Sequence, residues 1–127
     1  DKKVETLVVM DLLKQFLDSI PDGLLMTMLI DEWVAVVRST RADETSIRQA
    51  LTQVVQHLEG ANFKLGFHLF SWLPELISQS GGKLQAIDLA KFFAPSVLPG
   101  CENEEEILVM LQLFIKFPTS IWVRLPN

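Results

Sequence analysis

From Leu7 to Ile115 apolar residues recur three and four positions apart, in runs separated by proline, glycine or short polar stretches. That spacing lines one side of a helix with apolar side chains, so each run predicts an amphipathic helix that must pack against another. No segment combines apolar–polar alternation with hairpin turns, which removes the strand alternative. The predicted fold class is all-α, a compact bundle of about six helices.

The first helix carries Leu7, Val8, Met10, Leu12, Leu13, Phe16 and Leu17 and stops at Ile20-Pro21-Asp22-Gly23, where proline restricts the residue before it and glycine suits a turn. The second is predicted from Leu24 to about Ser39 and is apolar almost all round, so it should be largely buried. Arg41-Ala42-Asp43-Glu44 reads as a polar connector. A third helix carries Ile47, Leu51, Val54, Val55 and Leu58, with Gly60 as its closing residue. Asn62 is placed to cap a fourth helix that ends at Gly81-Gly82 and contains Pro74, which should kink it or leave a carbonyl unpaired. A shorter fifth helix runs from about Leu84 to Phe93 and stops at Ala94-Pro95. Asn103 and Glu106 have the spacing of a capping box for the sixth, which Pro118 ends. Ile121 to Leu125 is too short to assign and fits a helical turn or an extended tail.

With 127 residues, 49% of them apolar, the chain suits one domain over 1–127 that buries roughly two-thirds of its unfolded surface without disulfide or metal. It begins with Asp1 and enters helical periodicity almost at once, so a fragment or truncated version of a longer domain is expected. The net charge of −5 and the scattered basic residues argue against nucleic acid as a partner, because phosphate neutralisation needs clustered Lys and Arg. No apolar run approaches the ~20 residues that span a bilayer. Cys101 is the single cysteine, which suits a reducing, cytoplasmic setting.

Self-contained chemistry is hard to find. His57, His68 and Cys101 stand at no metal-ligand spacing, and His68, inside an aromatic stretch, reads as a half-buried, hydrogen-bonded side chain. Ser71 and Cys101 sit in no nucleophile motif, and Gly81-Gly82-Lys83 lacks the spacing of a phosphate loop. The expectation is therefore no cofactor, no metal and no enzyme active site within these residues.

Three stretches carry a family likeness. Leu12-Leu13-Lys14-Gln15-Phe16-Leu17-Asp18-Ser19-Ile20-Pro21-Asp22-Gly23-Leu24-Leu25 resembles the segment L-L-K-x-x-L-R-x-L-P-x-P-L-L of Rho GTPase-activating (RhoGAP) domains. Ala61-Asn62 followed by Leu65, Leu69, Leu73 and Leu76 resembles that family's helix opening with Asn. The run from Gly82 through Asp88-Leu89-Ala90-Lys91-Phe92-Phe93-Ala94-Pro95 to Leu98 resembles its N-K-M-x-x-x-N-L-A-x-x-F-G-P-x-L-L.

The resemblance implies a helical bundle that binds a Rho-family small GTPase and inserts an arginine beside the nucleotide's γ-phosphate, where such fingers accelerate hydrolysis by roughly 10³–10⁵. In the family that arginine precedes the L-L-K segment, and no residue before Leu12 is Arg. Lys14 takes the place of the GTPase-facing lysine, while Asp18 replaces an Arg one turn on and Asp88 replaces an Asn. Ala94 stands for the Gly before Pro95. These departures lead to the expectation of a non-catalytic interaction module, with Lys14, Asp18, Asp88, Lys91 and Pro95 as partner-binding residues. Plainer roles stand beside that one: Lys14 paired with Asp18 or Asp11, Asp88 serving its helix start, Lys91 paired with Asp88, and Pro95 only ending a helix. Two alternatives remain, a helical scaffold or dimerisation domain with a non-GTPase partner, and a fragment of an active GTPase-activating protein. If the family's first helices are missing, apolar surface needs cover, from a homodimer or another chain.

Overall fold

A computed structural model describes residues 2–39 and 43–126, so positions 41 and 42 of the predicted connector lie outside the described residues. Among these residues the chain is all-α, with seven helices: α1 (Lys2–Asp18), α2 (Ile30–Ser39), α3 (Glu44–Val55), α4 (Gly60–Gln79), α5 (Ala86–Val97), α6 (Glu104–Lys116) and the single turn α7 (Pro118–Ile121). A 3₁₀ turn, Thr27–Leu29, precedes α2.

α6 is the central element, packed against α5, α2 and α4, and it buries Ile107, Met110, Leu111 and Phe114. Around it sits an aromatic cluster. Trp122 stacks on Phe70 with ring centroids 5.4 Å apart and meets Phe114 edge-on at 5.2 Å, and Phe114 in turn meets Trp33 at 5.9 Å. The approach of α4 to Trp122 depends on Gly66, where an added Cβ would lie 2.4 Å from the indole.

The predicted elements shift at their ends, each for a local reason. Leu24 and Leu25 are fully buried, yet they belong to a loop rather than to the second helix. Leu25 N–H donates to Val97 O (2.9 Å), Leu25 O accepts from the Trp33 indole (2.9 Å), and Leu24 O accepts from the Asn62 amide (3.0 Å). Asn62 thus lies inside the first turn of α4 and ties down the loop instead of capping the helix. α3 ends at Val55, not at Gly60, and Gly60 opens α4. In place of a glycine cap, the Arg124 guanidinium donates to the carbonyls of Val55, Gln56 and Leu58 at 3.3, 2.9 and 2.8 Å.

Both internal prolines are absorbed. α4 continues through Pro74 to Gln79, and α5 continues through Pro95 to Val97 rather than stopping at Ala94. A proline removes one intrahelical donor. At Pro95 that loss falls in the last turn, where burial of Ser96, Val97 and Leu98 holds the helical path. The Asn103–Glu106 capping box does not form: Asn103 makes no side-chain cap, and the buried Glu106 accepts from Arg38 Nε of α2 at 3.0 Å.

Asp43 does cap α3. Its carboxylate accepts from Thr45 N–H (3.1 Å) and the Ser46 hydroxyl (2.7 Å), and the Ser46 bond above all lowers its pKa from 3.8. A depressed folded-state value favours the fold above about pH 4 and loses that contribution as the pH falls through it. The acid limb of the stability–pH curve should therefore flatten in Asp43→Asn, measured by urea unfolding between about pH 2 and 5.

Candidate partner-binding surface

α1 lies on the outside of the bundle and packs chiefly on α5. Met10 and Leu17 supply its buried line, and Lys14 lies between them, half-buried. The Lys14 Nζ donates to Ser96 Oγ at 2.7 Å and sits 5.5 Å from the centre of the Phe92 ring. Ser96 is the penultimate residue of α5, so the ammonium also faces the negative end of that helix. A hydroxyl, an aromatic face and a helix end together fix the position of a side chain that otherwise has many rotamers. Among the described residues Lys14 makes no ion pair with Asp18 or Asp11, because the ion pairs there are Arg38–Glu106 and His57–Glu32.

Asp88, Lys91 and Pro95 follow one another at spacings of three and four along α5, so they share its exposed side, next to the Phe92–Ser96 line that meets Lys14. Asp88 is partly occupied by its own helix: Oδ2 accepts from Gln85 N–H at 2.8 Å, the arrangement of a capping box. Lys91 is exposed and forms no ion pair with Asp88 among the described residues. Lys91 and Pro95 also border a groove of about 510 Å³ closed by Leu98, Cys101, Glu102 and Ile107. Because Pro95 has no N–H, the Lys91 carbonyl one turn earlier receives no helical donor from it. Asp18 is exposed at the far end of α1, one turn beyond Lys14.

The fold thus brings Lys14 together with the α5 trio. Ser96 and Phe92, which hold Lys14, escaped the sequence reading. A buried serine one turn after a phenylalanine in Phe92-Phe93-Ala94-Pro95-Ser96 is a signal only if the neighbouring helix is known to present a lysine. His68 is exposed and meets Phe67 edge-on at 5.5 Å, not the half-buried histidine expected. Among the described residues no three His, Cys, Asp or Glu side chains are placed to share a metal ion. No helix of the described residues is long and apolar enough to cross a membrane.

Known proteins supply a second line of evidence. A model of the RhoGAP domain matches residues 1–102. Rho GTPase-activating protein 20 of Rattus norvegicus is 29% identical over 119 residues, and that of Homo sapiens 30% identical over 119 residues, each alignment covering 86% of this chain. The alignment takes in 10% of each of these relatives, so the chain spans about a tenth of their length. No solved structure matches. These matches overturn the expectation that the chain is no enzyme component, since family and relatives both point to GTPase-activating function. That expectation came from looking for an active site complete in itself, whereas a GTPase-activating domain acts on a site carried by its partner. With four-fifths of its length matched, the chain belongs to the RhoGAP domain family.

Proposed function

We propose that this chain serves GTPase activation by docking a Rho-family small GTPase on the surface formed by Lys14 and Asp18 of α1 and Asp88, Lys91 and Pro95 of α5. The observation that carries this reading is the anchoring of Lys14. A surface lysine with no partner role gains little from being fixed, whereas one fixed by Ser96 and Phe92 presents a preset positive charge to an incoming acidic group. On this reading the described residues contribute recognition. Arg38 is held by Glu106, Arg48 lies on the Phe117 ring at 4.2 Å, and Arg124 caps α3. Asp18 and Asp88, standing where the family carries Arg and Asn, favour a partner with basic groups opposite them. A cytoplasmic location goes with the same reading.

The test is affinity for a panel of GTP-loaded Rho-family proteins, with GTP hydrolysis followed in the same samples. Lys14→Glu should weaken binding about 10-fold or more, a charge reversal at an interface contact, and should abolish any acceleration of hydrolysis with it. Ser96→Ala should weaken binding less, about 3-fold, through loss of the hydroxyl that positions Lys14. Equal affinity of wild type and Lys14→Glu, with both folded by circular dichroism, would exclude this surface.

A further inference from the structure

Among the described residues, the non-glycine positions with positive φ both fall in the segment between α1 and α2: Asp22 at +63° and Met26 at +64°. Gly23 between them has a φ of +76°. Only glycine takes such values freely, so a methionine there persists only where its surroundings leave the chain no other path. Three elements supply that constraint. The Asn62 Nδ2, half-buried in the first turn of α4, donates to Leu24 O at 3.0 Å and reaches Gly23 O at 3.5 Å. The Trp33 indole of α2 donates to Leu25 O at 2.9 Å, and Leu25 N–H donates to Val97 O at 2.9 Å.

The last of these bonds reaches the Lys14 anchor. Val97 ends α5, and its carbonyl is one of those that a helix C-terminus leaves without an internal donor. Leu25 N–H takes that place, and the residue before Val97 is Ser96, which holds the Lys14 Nζ at 2.7 Å. The same loop continues from α1, which carries Lys14. One strained loop therefore fixes both sides of the Lys14–Ser96 bond, and Asn62 holds that loop from α4.

We infer that Asn62 is a positioning residue for the docking surface and acts through Lys14. Without its amide, the carbonyl of the fully buried Leu24 loses its donor and Met26 is drawn back toward negative φ. The loop then lets go of Val97 O, the last turn of α5 loosens with Ser96 in it, and the Lys14 side chain regains its many rotamers. That Asn62 serves a partner surface rests on the proposed GTPase docking; that it sets the Lys14 side chain does not.

Nuclear magnetic resonance of residues 1–127 reads the positioning directly. The Phe92 ring, whose centre is 5.5 Å from the Nζ, should shift the Lys14 ε-methylene protons upfield of those of the exposed Lys64 and Lys91. Asn62→Ala and Asn62→Asp both remove the donor, the second leaving an acid that suits a helix start. In either variant the Lys14 signal should move to the position of the exposed lysines. Gln56→Ala, which cuts bonds to Thr52 O (2.7 Å) and Val123 O (2.6 Å) at a different junction, should leave it in place. Met26→Gly added to Asn62→Ala should restore the shift, because glycine holds a positive φ without strain. Affinity for a GTP-loaded Rho-family protein reads the consequence. Asn62→Ala should weaken it about 3-fold, the factor expected when the preset lysine is populated about a third of the time, and should change nothing in a Lys14→Met background. A Lys14 signal unmoved by loss of Asn62, moved equally by Gln56→Ala, or left unrestored by Met26→Gly would overturn the positioning role. A moved signal together with equal affinities of wild type and Lys14→Met would overturn the docking reading and leave the link from Asn62 to Lys14 standing.

Discussion

Trp122→Ala should lower the unfolding free energy by about 3–5 kcal/mol, a large share of the ~5–15 kcal/mol typical of single domains. The indole is 1% exposed and joins two helices at once, stacking on Phe70 of α4, touching Phe63 of the same helix with centroids 5.7 Å apart and meeting Phe114 of α6 edge-on. Gly66 gives it a flat seat on α4, and Ile121, fully buried beside it in sequence, closes the same end of the bundle. Truncation to alanine leaves a cavity that cannot collapse, because two of its walls are rings fixed by other contacts. Trp122→Phe separates packing from polarity. The indole N–H is buried and finds no hydrogen-bond partner among the described residues, so phenylalanine removes that burden while losing part of the ring area. Its loss should be no more than about half that of alanine. Urea unfolding with an unchanged slope is the measurement, and a loss below about 1 kcal/mol for alanine would mean the cluster does not carry the core.

The second large effect is expected at Gly23. Its φ of +76° lies in the left-handed region, and a Cβ there would meet Pro99 Cδ at 2.4 Å and the Val97 carbonyl oxygen at 2.9 Å. Alanine therefore brings backbone strain of about 1–2 kcal/mol together with a clash against two groups that cannot swing aside. Relief requires the loop to back away from the end of α5, which strips the Leu25 N–H of its Val97 partner and moves Leu24 and Leu25 out of full burial. A total loss of about 2–4 kcal/mol follows, with a visible change in near-ultraviolet circular dichroism because Trp33 hangs on the Leu25 carbonyl. A Gly23→Ala chain as stable as wild type would show that the loop does not seat against Pro99 as described. Under the proposed function the same substitution should also weaken GTPase binding, since this loop follows the helix that carries Lys14.

The helices were readable where an apolar face recurs at helical spacing, because burial of that face is what makes a helix form. They were misread where a different physical demand gives the same letters. Leu24-Leu25-Met26 looks like helix because apolar density alone cannot tell a buried helix from a buried loop. Its geometry is set by Trp33 and Asn62, partners invisible at short range. Pro95 looked like a stop because the rule weighs the lost donor and not the burial that follows it. Glu106 looked like a cap because its long-range partner Arg38 lies 68 positions away. Lys14, Asp88, Lys91 and Pro95 were legible as candidates through family likeness. Only the packing of α1 on α5 showed that Ser96 and Phe92 hold the first of them and that the Asp88 carboxylate also serves its own helix start. That some apolar surface needs cover was legible from the family likeness, but not that it lies on α1 at Val4, Leu7, Val8, Leu12 and Phe16, since an apolar stripe looks the same whether its cover belongs to the same chain or to another.

The placement of the tryptophans equips the molecule with its own optical reporters. There is no tyrosine, so emission excited near 295 nm comes from Trp33, Trp72 and Trp122. Trp33 and Trp122 are sealed in the interior, and their spectra should change only when the bundle opens. Trp72 is half-buried and lines a shallow groove with Phe16, Leu13 and Leu65 beside α1. A blue shift or loss of quenching confined to one emitter would signal a visitor at α1, while a red shift of all three would signal unfolding. Binding and denaturation can thus be told apart in one cuvette, without any attached dye.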